Sequence, residues 1–589
     1  MTPDTDEQKR LILVVVLAMA VLGIFQYFYS PAPQPQPAPM MAEEGMEDSI
    51  APNIDIPDIA VEPKTREEVI AAAPRLAIQG PKVYGSINLK GARLDDLILR
   101  NYRTQLAEDS NNITLLSPSS FSQSFFTEFN WVAADKNLNL PDKNTVWTVV
   151  GNDFLTPSQP VTLRYDGGQG VVFEQTFSLD DDYLVTVDQH VINNTGNAVV
   201  VYPYGLVSLA GGDVELSAIE DRLVHRGPIG YFNQELQEVD FAELTEDGNR
   251  QWQAQGGWLG MTDKYWIAAL IPDQSKNITI DFSSKKRLSG DLFQVNFSTE
   301  AMTIQANSKG TLTSHVFAGA KELNLLEQYT EELGVPHFDL AVDFGWFYFL
   351  TKPFFIALDF LYGLFGNFGV AIILLTVFIK VLFLPLANKS YRSMNRMKEL
   401  QPRMKELRET YKEDPVRLQQ EMMAMYKKEK VNPASGCLPI FVQIPVFFAL
   451  YKVLYVSIEM RHKPFFGWVQ DLSAPDPTSV LNLFGLLPYD SPEMLSFFAI
   501  GAWPLLMGFA MFLQQRLNPA PVDKTQAQIF MLMPIVFTFM LANFPAGLVI
   551  YWTTNNFLSI AQQRYIRRHD PETMRLAKRN AQREAADKK

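Results

Sequence analysis

Cysteine is nearly missing from this chain: Cys437 stands alone among 589 residues. That excludes an internal disulfide framework and a Cys-rich metal site, and Cys437, opening an apolar run, reads as a small packed hydrophobe. Histidine is scarce too. The six present (His190, His225, His315, His337, His462 and His569) show neither H-x-x-x-H nor HExxH spacing, which argues against a metal centre. Across residues 30–345 basic side chains are outnumbered by acidic ones, so this region lacks the basic face that nucleic-acid phosphates require. No internal repeat is legible. The net charge of −14 averages over unlike parts and describes no single surface.

Long apolar runs are what the chain has in plenty. Residues 11–29 (LILVVVLAMAVLGIFQYFY) follow Lys9 and Arg10, which is the flank of an uncleaved anchor with its N-terminus in the cytoplasm. The run exceeds a usual signal core, and Ser30-Pro31 is a poor cleavage context. Residues 31–60 are Pro-alternating and then acidic, a tether with no fold of its own. Residues 61–335 read as an outer domain of short alternating strands ending in a helix over residues 320–333. Asp166-Gly167-Gly168 and Asn193-Asn194-Thr195-Gly196 each sit between two apolar runs and predict hairpins. His190, Asp188, Trp252, Trp258 and Trp266 could line a sugar site there, but their spacing specifies none.

Residues 336–365 are aromatic and interrupted by Lys352-Pro353 and Asp359, the pattern of a helix lying in the outer interface. A core over residues 366–563 then supplies five spans, making six with the anchor. Within it, residues 388–436 carry about a dozen Lys and Arg and form a cytoplasmic helical hairpin, the second helix capped by Asp414 with Pro415 at its first position. The last two spans are read as residues 529–543 and 548–563, short against a bilayer of about 30 Å. A basic tail, 564–589, stays inside. The fold class is therefore multi-domain: an α-helical membrane bundle of six spans, five of them a compact core, plus a large antiparallel β-sandwich outside.

Residues 369–386 (GVAIILLTVFIKVLFLPL) hold Lys380 within a spanning run. A cation there costs roughly 2.5–3.5 kcal/mol on insertion scales, so it marks a site facing protein or water unless it snorkels to the nearer interface. Thr376 lies on the same face one turn earlier. Gln443 sits in the next span, and Tyr551, Trp552, Thr553, Thr554, Asn555 and Asn556 crowd the last. Polar groups in lipid are expensive, so these should face one another or a hydrated cavity. The nearest acid in the core spans, Glu459, lies at the opposite, outer edge, which favours water over an ion pair.

Three motifs, TVFIKVLFLPL (376–386), YKKEKVNPASGCLPIFVQIPVFFALY (426–451) and FPAGLVIYWTTNN (544–556), resemble the YidC family of membrane protein insertases in its long Gram-negative form. The likeness extends over almost the whole chain in order, spacing and topology. Lys380 departs from the arginine most common in bacterial members, keeping the charge but not the five-donor fork. Trp552 stands where tyrosine is common. The resemblance implies a non-enzymatic insertase of the bacterial inner membrane that inserts and helps fold membrane proteins, alone or with the Sec translocon, and needs no cofactor.

In that reading Lys380 is the charge of a hydrated groove lined by Thr376, Gln443, Tyr551, Trp552, Thr553, Asn555 and Asn556. Substrate spans leave along Met531, Met533, Met540, Phe441 and Phe447. Met422, Met425, Lys427, Lys428 and Lys430 of the hairpin receive ribosomes or targeting factors. Further expected partners are nascent membrane proteins and membrane lipids, with the protein working as a monomer. A secondary transporter coupled through Lys380 is the alternative, though five core spans do not divide into repeated halves.

Overall fold

A computed structural model describes residues 66–118, 124–210, 224–287, 290–345, 347–429, 438–487, 499–517 and 524–569, with residues 571, 574, 575, 578 and 582 beyond. The expected anchor and tether, and most of the basic tail, lie outside the described residues.

Among the described residues nineteen strands build the first half. In Leu184–Asn193 every second side chain is buried (Val185, Val187, Gln189, Val191, Asn193), so one face packs inward and the other stays wet. The pairing is antiparallel apart from one short parallel contact, Ala77 with Phe154 and Ile78 with Leu155. Gln159–Asp166 and Val171–Leu179 do form the expected hairpin, turning through Gly168, Gln169 and Gly170 at positive φ. The second expected hairpin is corrected. Leu184–Asn193 is flanked by Val171–Leu179 and Ser308–Ala320, so both its edges are taken. Val199–Ala210 crosses instead to Ser124–Ala133 and Leu292–Thr299. Asn193 fixes the crossover, its amide donating to the carbonyls of Asn197, Ile304 and Gln305. The layers are tied through the core by Gln175 and Gln189, which donate to the Phe129 and Asn130 carbonyls.

The candidate sugar residues do not converge. His190 pairs with Thr311 on the sheet, while Trp258 is buried against Phe338 and Trp252 packs on Phe282.

Eleven helices occur among the described residues. The first three belong to the sandwich: α1 (Arg66–Ala71), α2 (Phe241–Asp247) and α3 (Leu323–Leu333). Gly334 ends α3 in the left-handed conformation, which glycine adopts without a Cβ penalty. The others are α4 (Tyr348–Phe365), α5 (Phe368–Leu382), α6 (Leu384–Thr410), α7 (Pro415–Lys428), α8 (Leu438–Val456), α9 (Ala502–Leu517), α10 (Lys524–Met540) and α11 (Ala546–His569).

Among the described residues α4 alone is long and apolar enough to cross a membrane by itself, and α5 with α6 meets that measure as a pair bent by 69°. α4 is nonetheless tethered along its length: Lys352 pairs with Glu327 and Asp339 at 2.7 Å, and Asn324 donates to Asp359 two turns on. Phe349, Ile356, Phe360 and Leu364 form an exposed stripe on its other side. Asp414 caps α7 as the sequence indicated, accepting from the Arg417 N–H. α11 departs from expectation. It runs from Ala546 to His569, about 36 Å at 1.5 Å per residue, because nothing in QQRYIRRH breaks a helix once the apolar part ends.

Candidate functional site

The site grows from the stagger of α11. Tyr551, Asn555 and Ser559 recur every fourth residue and share one face. Against this stripe α5 sets Lys380, whose Nζ donates to Ser559 Oγ at 2.8 Å, while Ser559 donates to the Asn555 carbonyl at 2.8 Å. Tyr551 hydrogen-bonds to Gln443 of α8, and Tyr391 of α6 reaches Ser559 and Gln563. A cavity of about 50 Å³ lies among Lys380, Tyr391, Gln443, Tyr551 and Asn555, room for a few waters. No carboxylate lines it among the described residues. Glu459 is instead half-buried at the end of the bundle next to the sandwich, accepting the Leu323 N–H at the start of α3.

A second cavity, of about 390 Å³, opens on the far side of Gln443. Its polar lining is Gln443, Gln514, Gln515 and Asn556; Phe447, Met533, Phe537 and Trp552 supply apolar walls. Trp552 meets Phe447 edge-on at 4.6 Å and Phe537 at 5.7 Å. Asn556 is buried with its Nδ2 unpartnered, a donor held ready at the cavity wall. The two cavities share Gln443, so a polar path runs from the lysine to a space between α8 and α10.

Relatives of this chain carry one name. Residues 75–357 match the family described as the YidC periplasmic domain, and residues 360–573 the family described as 60Kd inner membrane protein. A membrane protein insertase YidC of Nitrobacter hamburgensis is 50% identical over 519 residues, covering 86% of this chain and 85% of that one. One of Brucella suis is 50% identical over 510 residues, covering 86% and 82%. The chain belongs to the YidC family of membrane protein insertases. A solved structure titled as an active YidC insertase with its first transmembrane domain resolved covers 83% of this chain and 94% of that one, with 17% identity and a TM-score of 0.34. At that score the two chains superpose only loosely, and no residue is placed by the comparison.

The geometry of this insertase sorts the residues singled out in its sequence. Lys380, Gln443, Tyr551 and Asn555 meet at the first cavity, and Trp552 and Asn556 at the second. Thr376 and Thr553 line neither. Both are buried with their hydroxyls donated back to Ile372 and Val549 carbonyls, one turn earlier on their own helices. Met533 and Phe447 face the second cavity, whereas Met531 and Met540 are exposed on the outside of α10. The Phe441 side chain and Lys430 lie outside the described residues. Met422 and Met425, expected on a docking surface, pack with Met404, Leu407 and Tyr426 as the hairpin's own core. A hairpin of two helices has no other apolar interior to close on. Lys427 and Lys428 remain exposed.

Ser559 and Tyr391 were missed. Ser559 is readable in hindsight as the next step of the Tyr551, Asn555 stripe. Tyr391 carries no such signal, since its approach depends on the bend between α5 and α6.

Proposed function

We propose that this insertase works through the Lys380 cavity, as a fixed positive charge in a hydrated space that lowers the barrier to moving a polar segment across the membrane. The observation that carries this reading is the pairing of Lys380 with a neutral hydroxyl in a cavity whose described lining holds no acid. A carboxylate on an incoming tail is the missing counter-charge, and the low local dielectric strengthens its attraction. Gln443, Tyr551 and Asn555 would exchange hydrogen bonds with the passing chain, and the unpartnered Asn556 amide would do so beyond them. Apolar spans of the substrate would leave between α8 and α10 across Phe447 and Met533, a compliant wall.

In this reading no bond is made or broken, and the protein serves as a catalyst of transfer, not of reaction. The N-terminus and the basic tail are cytoplasmic and the sandwich periplasmic. α4 lies in the outer interface, supported by its two-turn attachment to the sandwich and its exposed apolar stripe. The exposed Lys427 and Lys428 suit ribosomes or targeting factors at the hairpin. The Sec translocon is a second partner, and a single copy suffices.

The test is insertion of a two-span substrate with an acidic periplasmic tail in depleted cells. Lys380→Ala should lower insertion roughly tenfold, the equivalent of about 1.4 kcal/mol, and Lys380→Arg should retain it. Neutralising the tail should erase the difference. Equal insertion by Lys380→Ala and the parent would remove the charge from the mechanism.

A further inference from the structure

Below the Lys380 cavity α11 ends in a run of cations. Arg564, Arg567 and Arg568 fall at i, i+3 and i+4, so their guanidinium groups crowd one face, a repulsive arrangement on an isolated helix. Among the described residues none of the three meets a carboxylate. Together with Asn395 of α6, Leu517 at the end of α9 and Gln563, they line a cavity of about 550 Å³. The walls are fixed: Lys398 of α6 donates to the carbonyls of Arg516 and Leu517, binding α6 across the end of α9. Burial first, and the charge of Arg567 second, hold Lys398 below its ordinary pKa, so the positive field reaches that side too. An independent feature also points inward. Asn395 Nδ2 is shielded from solvent and has no hydrogen-bond acceptor.

We propose that this cavity cradles the phosphate of an anionic phospholipid. Arginine forks match phosphate oxygens in pairs, and the amide of Asn395 supplies a further donor. Depth argues for lipid over RNA. Arg564 lies eighteen residues beyond Ala546, roughly 27 Å along α11, against about 30 Å of hydrocarbon, so the cluster sits at the headgroup level of one leaflet. The cations are exposed at the rim of a concavity of headgroup size, open to a phosphate arriving from the leaflet. The assignment rests on the cytoplasmic orientation proposed above but not on the role of Lys380.

The experiment is native mass spectrometry of the full chain in detergent, titrated separately with dioleoylphosphatidylglycerol, dioleoylphosphatidylcholine and inorganic phosphate. The glycerol lipid should be retained about tenfold better than the choline lipid, and the combined Arg564→Gln, Arg567→Gln, Arg568→Gln variant should lose that preference. Arg417→Gln, at the start of α7, should keep it. If the combined variant does not fold, Arg564→Gln and Arg567→Gln singly should each reduce the preference. Equal retention of the two lipids, or preference surviving in the variant, overturns the proposal. Displacement of the lipid by inorganic phosphate at equal concentration would make it a free-phosphate site. Loss of ribosome co-sedimentation with lipid retention intact would make the cluster an RNA contact.

Discussion

Two lysines removed from bulk water are held in different ways. Lys380 faces a cavity and a serine. Lys321, in the sandwich, is fully buried with its Nζ given to Thr262 Oγ1 at 3.1 Å, and its carboxylate neighbours Asp343, Asp263 and Glu238 act on it only through space. Burial pushes its pKa down from 10.5 to about 8. The charged form is therefore penalised in the folded state by about 3 kcal/mol as an upper estimate. Below pH 8 the lysine is protonated whether folded or not, and the full penalty applies. Between about pH 8 and 10.5 the unfolded chain holds the extra proton, so stability rises with pH. Lys321→Met should accordingly raise the unfolding midpoint of the full chain by a few degrees at pH 7, with the gain vanishing towards pH 10.5. A scanning calorimetry series across that range checks it. A lower midpoint at pH 7 would mean the ammonium is net stabilising.

Among the helices, close approach is set by residues without side chains. A Cβ at Gly508 of α9 would collide with Thr538 Oγ1 of α10, and Thr538 cannot swing away freely because it is buried and donates to the Pro534 carbonyl. Gly508→Val should separate α9 from α10 and widen the second cavity. Cross-linking between cysteines placed at Met511 and Phe537 should slow severalfold, whereas Gly363→Val on α4, where a Cβ meets nothing, should leave that rate unchanged. An unaltered rate for Gly508→Val would refute this packing role. Sequence made the elements legible where local chemistry decides them, as at the Asp414 cap or the Asp166-Gly167-Gly168 turn. It misled where neighbours decide. Whether Leu184–Asn193 pairs with Val199–Ala210 depends on a strand more than a hundred residues later, Ser308–Ala320. Likewise Thr376 shows the right spacing for the Lys380 face, yet its hydroxyl is satisfied by its own helix.

Beyond the α4 attachment, a second seam among the described residues joins the sandwich to the bundle. Asp343 accepts from Lys452 of α8 at 2.8 Å, Arg461 donates to the Arg103 carbonyl at 2.8 Å, and the Lys264 ammonium lies 3.5 Å from the centre of the Tyr455 ring. Burial, the largest single influence, raises the pKa of Asp343, but Lys452, the His225 N–H and Lys321 together outweigh it and hold the carboxyl below its usual range. Its contribution is present above the ordinary carboxylate pKa and fades only as pH falls through the lower folded value. Asp343→Ala removes one carboxylate from the half-buried Lys452, with Glu238 still acting on it, and should loosen the seam. Limited proteolysis at residues 334–347 should then speed up at pH 7, and the double variant with Lys452→Met should recover much of the loss. Unchanged cleavage in Asp343→Ala would show the seam is held by apolar packing alone.

The same seam sets the mechanics of α8. Its end next to the sandwich is clamped by Lys452, Tyr455 and the Glu459 contact just beyond, while Leu438 at the other end lies about 27 Å away. A tilt about that clamped end would carry Leu438 about half an ångström per degree. Such a tilt would widen the cavity between α8 and α10 as a wedge, most at the end far from the sandwich.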